Sequence, residues 1–107
     1  MDSKRPFELV YAPQARGHLK AIERKYYGLI RHEIEAQLQF EPELETRNRK
    51  PLKRAVAFEA EREIRFGPNN RFRVFYEVDW EARAVYILAI GFKVRDRLYI
   101  GGEEVEL

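Results

Sequence analysis

The chain has 107 residues, 45% hydrophobic, 13% aromatic and 36% charged, with a formal net charge of +2. That length suits one domain, 1–107, with one packed core, and the apolar content excludes a disordered chain. The absence of cysteine excludes disulfides, thiolate catalysis and cysteine-held zinc.

The small net charge hides an uneven distribution. Glu33, Glu35, Glu41, Glu43 and Glu45 occupy the middle and Glu103, Glu104 and Glu106 the end, whereas Arg47, Arg49, Lys50, Lys53 and Arg54 place five basic residues within eight positions. Such clustering creates a local positive field that the sum conceals. The polar opening Met1–Pro6 has no apolar run of signal-peptide length, and no stretch approaches a membrane span. The expectation is a soluble protein of the cytoplasm that contacts no membrane.

In chain order, Phe7, Leu9 and Tyr11 alternate with Glu8 and Val10 and predict a short strand. Pro13 suits the first turn of a helix. Ala15, Leu19, Ile22 and Tyr26 follow at helical spacing, and Gly17 weakens that helix by about 1 kcal/mol relative to alanine. A break is expected at Tyr27-Gly28. Ile30, Ile34 and Leu38 line a second helix that must stop before Pro42. From Glu41 to about Ala57 the period is lost, and Pro42, Pro51 and the basic run predict a long surface loop of functional character.

Three strands are expected next: Glu61–Phe66, then Arg71–Val78 after the turn Gly67-Pro68-Asn69-Asn70, then Ala84–Phe92 after a turn near Trp80–Ala82. The last is apolar on both faces, as a covered strand should be. Pairing Phe66 with Phe72 sets Ile64 against Val74 and Arg65 against Arg73, whereas a slip of one residue would bury the arginines. In the next hairpin, Tyr76 beside Tyr86 and Val74 beside Leu88 would flank Arg73 with Ala89 and Arg71 with Gly91. Lys93 then points the same way, and a shallow basic cleft results, with Phe75 on the same face as a platform for a base. Facing like charges repel unless an anion lies between them, so the cleft is expected to hold a polyanion such as a nucleic-acid backbone. The tail, Tyr99 to Leu107, reads as a short extension closed by Gly101-Gly102. The fold class is α+β, β-α-α-β-β-β, with a helical hairpin on one face of a small, mostly antiparallel sheet.

That order, with Glu63-Ile64-Arg65-Phe66-Gly67, Arg71-Phe72-Arg73-Val74-Phe75-Tyr76-Glu77-Val78-Asp79 and Gly91-Phe92-Lys93-Val94-Arg95-Asp96-Arg97-Leu98-Tyr99, resembles the RelE/ParE superfamily of toxins from type II toxin–antitoxin modules, over Phe7 to about Tyr99. The resemblance implies a protein antitoxin as partner. In the RelE branch it implies cleavage of messenger RNA on the ribosome, an endoribonuclease that inhibits translation without metal or cofactor. Residue by residue, Arg65 matches the arginine at the scissile phosphate, and Lys93 stands where an arginine is usual. Tyr99 matches the tyrosine near the attacking 2′-hydroxyl, and Arg73 a second strand arginine. Arg49, Lys50 and Lys53 lie in the segment that supplies paired lysines. Arg65, Lys93 and Tyr99 are therefore the expected catalytic residues, and Arg47, Arg49, Lys50, Lys53, Arg54, Arg71, Arg73 and Arg95 the expected RNA contacts. The ParE branch shares the fold but poisons DNA gyrase by binding, and a toxin-like domain without activity in a regulatory complex is a third outcome. Against these stand plainer readings: Arg65 paired with Glu63, Tyr99 as a packing residue, and His18 and His32 as surface residues of the helices.

Overall fold

The computed structural model describes residues 5–52 and 60–106. Lys53 and Arg54 lie outside the described residues. The strands are β1 (Glu8–Tyr11), β2 (Arg49–Pro51), β3 (Arg62–Phe66), β4 (Phe72–Asp79), β5 (Ala84–Val94), β6 (Arg97–Ile100) and β7 (Glu103–Val105), with helices α1 (Pro13–His18) and α2 (Tyr27–Leu38) between β1 and β2. They form one seven-stranded sheet in the order β2-β3-β4-β5-β6-β7. β1 runs parallel to the first half of β5, Glu8 beside Ala84 to Tyr11 beside Ile87. β6 pairs antiparallel with its second half, from Gly91 beside Ile100. All other pairings are antiparallel.

The helices cover one face. Ala15, Ile30, Ile34 and Leu38 pack on Ile64, Phe66, Phe72, Val74, Tyr76, Val85, Ile87 and Ile90 in a single buried cluster. Pro13 opens α1, where its missing N–H costs nothing. The helical hairpin is present, but its break falls earlier than Tyr27-Gly28. The chain tightens into a 3-10 turn at Leu19–Ala21, extends at Ile22 and turns again at Arg24–Tyr26, so Gly28 sits inside α2. Ile22 reaches the core from extended backbone, which helical spacing alone does not distinguish from a helical position.

The basic segment is not loop throughout. Arg49–Pro51 forms an edge strand on β3, and proline is tolerated there because an edge strand need not donate on its outer side. Tyr76 ties the preceding segment down, its hydroxyl donating to the Pro42 carbonyl at 3.0 Å. Burial pushes its pKa up to about 12, so it remains a neutral donor. The tail forms the two short strands β6 and β7 around Gly101-Gly102, both at positive φ.

The β3–β4 register is the one read from the sequence: Ile64 faces Val74, Arg65 faces Arg73 and Phe66 faces Phe72. The β4–β5 register differs. Arg73 faces Gly91 and Phe75 faces Ala89, then a bulge absorbs Leu88 so that Tyr76 faces Ile87. The extra residue allows Ile87 and Ile90 both to enter the helix-side core. The expected Tyr76–Tyr86 and Val74–Leu88 pairs would have brought Tyr86 and Leu88 there instead.

Candidate anion-binding cleft

With these pairings, alternation places Glu63, Arg65, Arg73, Phe75, Ala89, Gly91 and Lys93 on the face away from the helices. Half of that face is apolar and closed. Ala60, Phe75, Ala89, Leu98 and Ile100 form a second buried cluster, so Phe75 is core and offers no platform for a base. Gly91 does not floor an open hollow either, because β6 lies against it. A Cβ there would meet the Tyr99 carbonyl oxygen at 2.6 Å and Ile100 Cγ1 at 2.8 Å.

The cations gather beyond this cluster, where β4 begins and β5 ends. Arg71, Arg73, Lys93 and Arg95, with Asn69 and Asn70, line a cleft of about 470 Å³ whose lining contains no carboxylate among the described residues. Gly67, Asn69 and Asn70 all take positive φ to bend the chain around one side. Asparagine visits that region at small cost, and arginine does so less readily. Arg95, at φ 58, supplies the other side from the two-residue turn between β5 and β6. The Lys93 N–H donates to the Arg71 carbonyl at 2.7 Å and ties the two sides together.

Each basic side chain is held differently. Arg73 is 8% exposed; its Nε donates to the Asn70 carbonyl at 3.3 Å and its Nη1 to Glu63 Oε2 at 3.5 Å. Burial first, then the neighbouring Arg65 charge, lower its pKa, and Glu63 opposes both. Arg65 pairs with Glu63 at 3.6 Å, so the ion pair expected as the plainer reading is present. Its backbone N–H donates to the Asn48 carbonyl at 2.9 Å. Arg71 lays its guanidinium over the rings of Tyr26, Phe72 and Phe92 at 5.5–5.9 Å.

Of the expected site residues, Arg65, Arg47, Arg49 and Tyr99 do not line the cleft. Arg49 is turned inward, its Nη1 donating to the Gln37 and Glu41 carbonyls at 2.6 and 2.8 Å. It satisfies the end of α2 and the chain beyond, and its guanidinium is spent on structure rather than on RNA. Tyr99 pairs with Phe92, not with Lys93, and so shares the Phe92 face, opposite to Arg65, Arg73 and Lys93. Its ring stacks on Phe92 with centroids 5.8 Å apart, and it lines a separate hollow beside Arg95, Asp96 and Arg97. The trio Arg65, Lys93 and Tyr99 is not assembled on one surface. Arg47 is exposed on the turn before β2, next to Asn48, whose Oδ1 accepts from Asn70 Nδ2 at 3.1 Å. Lys50 pairs by its backbone with Glu63.

Sequence reasoning missed Asn69 and Asn70 as parts of this site, and it named Glu63 as the partner of Arg65 but not of Arg73. Glu63 was legible: it is the one carboxylate on that face of β3, two residues from Arg65. His18 is buried rather than a surface residue, and its Nδ1 accepts the Ile90 N–H at 3.3 Å. Among the described residues, no group of three or more His, Cys, Asp or Glu side chains is placed to hold a metal ion. A second large hollow, about 470 Å³ and mostly apolar, lies between β1 and α2, lined by Phe7, Leu9, Tyr11, Leu19, Tyr27 and Ile30 among others.

A helical hairpin on one face of this sheet, with basic residues gathered where β4 starts and β5 finishes, is an architecture that matches toxins of the RelE/ParE superfamily. The chain matches the profile of the ParE toxin of the type II toxin–antitoxin system parDE over residues 9–97, and it belongs to that family. It is a toxin of a type II toxin–antitoxin system. The fold is similar to the crystal structure of the toxin–antitoxin complex RelBE2 from Mycobacterium tuberculosis, with a TM-score of 0.66 and 24% identity over 82% of this chain and 92% of that one. No curated protein matches by sequence.

Proposed function

We propose that this toxin inhibits translation by gripping messenger RNA on the ribosome and promoting its cleavage by the RNA's own 2′-hydroxyl. The cleft carries this reading: four basic side chains and two asparagines converge with no carboxylate in the lining among the described residues, a chemistry suited to a phosphate backbone. In-line attack crowds negative charge onto a phosphorane. Arg73, held at Nε and Nη1, presents fixed positive charge to it. Lys93, which lines the cleft, protonates the departing 5′-oxygen in this reading, while the 2′-hydroxyl proton passes to water. Tyr99, on the other face, takes no part. The setting is the cytoplasm, and the partner is an antitoxin, whose apolar side suits the hollow between β1 and α2.

A second reading is the ParE-type one, poisoning of DNA gyrase by contact. It is favoured by the lining of the cleft, which holds no carboxylate among the described residues; Glu63, which meets Arg73 and Arg65, is 6% exposed. A translation-coupled cleavage assay beside a gyrase supercoiling assay separates the two. On the first reading the protein cuts messenger RNA, Lys93→Ala lowers the rate by about 100-fold or more, and Tyr99→Phe stays within a few-fold of the parent. Intact messenger with blocked supercoiling establishes the gyrase reading, and silence in both assays leaves an inactive member that serves in a regulatory complex.

A further inference from the structure

Glu63, Arg65 and Arg73 form a closed unit. Arg65 and Arg73 face each other across β3 and β4, an arrangement that repels when both are charged. Glu63 is two residues from Arg65 on the same strand and face, and its carboxylate meets both guanidinium groups, Oε1 at 3.6 Å from Arg65 and Oε2 at 3.5 Å from Arg73. At 6% exposure that carboxylate has little water around it, and the two guanidinium groups are its charge partners. Three charges thus sum to a single positive one. The unit is not saturated, however. Arg65 Nε is buried without a hydrogen-bond partner among the described residues, and the Arg65 side chain is 31% exposed.

From this geometry we propose that Glu63 is a positioning residue that acts as a built-in stand-in for an external anion: it draws the two arginines together, fixes Arg73 for the cleft, and holds back one unit of the positive charge the cleft presents. The arginines donate to one oxyanion from the chain itself, and the part-exposed Arg65 guanidinium is open to a second, from a phosphate or sulfate group. The cleft's strength toward a polyanion is then set by Glu63, although Glu63 does not line the cleft. The RNA part of this proposal rests on the function proposed above, while the anion part does not.

The test uses Glu63→Gln, which keeps shape and removes charge, and Glu63→Asp, which keeps charge. Thermal melting is compared in sodium chloride and sodium sulfate at equal ionic strength. Glu63→Gln should melt well below the parent in chloride and recover most of that deficit in sulfate, which restores the lost negative charge at the part-exposed Arg65 guanidinium. Glu63→Asp should show the parent's small response. The double variant Glu63→Gln/Arg65→Gln removes the repulsion with the carboxylate, so it should melt higher than Glu63→Gln in chloride and lose the sulfate response. Absence of sulfate recovery in Glu63→Gln, or its persistence in the double variant, overturns the proposal and leaves Glu63 as an ordinary ion-pair partner. In parallel, binding of a single-stranded oligoribonucleotide is followed against salt. Glu63→Gln should steepen the slope of log K against log salt by about 0.7, the value for one further counterion released, and Glu63→Asp should leave it alone. If the parent protein does not bind the oligoribonucleotide at all, it is the RNA reading that fails, and the melting comparison still decides the role of Glu63.

Discussion

His18 sits where β5 has no strand beside it. β1 leaves after Ile87 and β6 joins at Gly91, so the Ile90 N–H on that edge needs an acceptor, and His18 Nδ1 provides it. An Nδ1 that accepts cannot carry a proton, and burial lowers the His18 pKa. In the unfolded chain the imidazole binds its proton near the ordinary value of about 6.5. Between there and the lower folded value the unfolded state holds more protons, so stability rises with pH across that window. The His18 contribution is complete above about pH 6.5 and is lost as pH falls toward the folded pKa. Urea unfolding of the parent and of His18→Asn, compared between pH 5 and 7.5, should show a slope in the parent that the variant lacks. The arginines teach a related lesson about legibility. Arg49, Arg65 and Arg71 look alike in the sequence, yet one closes the end of a helix, one shares a buried carboxylate and one lies over three aromatic rings. A side chain that long can reach several partners from one backbone position, so charge pattern alone identifies the cluster but not its members.

At the scale of elements, the β3–β4 hairpin was readable because a four-residue turn and two apolar rows permit one register. The β4–β5 hairpin was not, because the bulge at Leu88 changes the count partway along, and period-two reasoning assumes that the count is constant. That same assumption hid the separation of Tyr99 from Lys93, since it takes the β5–β6 register to show that the tyrosine faces Phe92. β2 was hidden for another reason: three residues with a proline carry too little pattern to outweigh a basic run. Gly91 illustrates what close approach of elements demands. Its added Cβ would strike the Tyr99 backbone oxygen at 2.6 Å, whereas one at Gly17 meets nothing within 4 Å. Gly91→Ala must push β6 away and should cost about 1–3 kcal/mol. Gly17→Ala, inside α1, should stabilise by about 0.5–1 kcal/mol. Denaturant midpoints measure both, and loss of stability in both variants would mean that crowding at Gly91 is not what separates them.

At the scale of the whole molecule, charge is uneven between the two ends of the β4–β5 hairpin, although Arg83 and Arg62, which pairs with Glu43, stand at the acidic one. The cleft occupies the end where β4 starts and β5 finishes, with Arg71, Arg73, Lys93 and Arg95. About 25 Å away along eight residues of strand, the opposite turn carries Trp80, 53% exposed, with its Nε1 donating to Glu43. Asp79 and Glu81 flank that tryptophan, and Glu41 and Glu45 flank Glu43 in sequence. A net charge of +2 would attract a polyanion weakly from any side; a molecule with a basic end and an acidic end attracts it at one end and repels it at the other. Orientation is then selected during approach, before contact. Two variants that change the sum by equal amounts separate the local from the global field. Lys93→Gln/Arg95→Gln removes two positive charges at the cleft, and Glu41→Gln/Glu81→Gln removes two negative charges at the far end. If the sum governed, one would slow association with a single-stranded oligonucleotide as much as the other speeds it. With a focused field, stopped-flow rates at low salt should fall on the order of tenfold for the cleft pair and change much less for the distant pair. The gap should close as ionic strength rises toward 1 M, where screening reaches only about 3 Å. Equal and opposite changes in the two rates would show that the segregation of charge does not steer the toxin to its target.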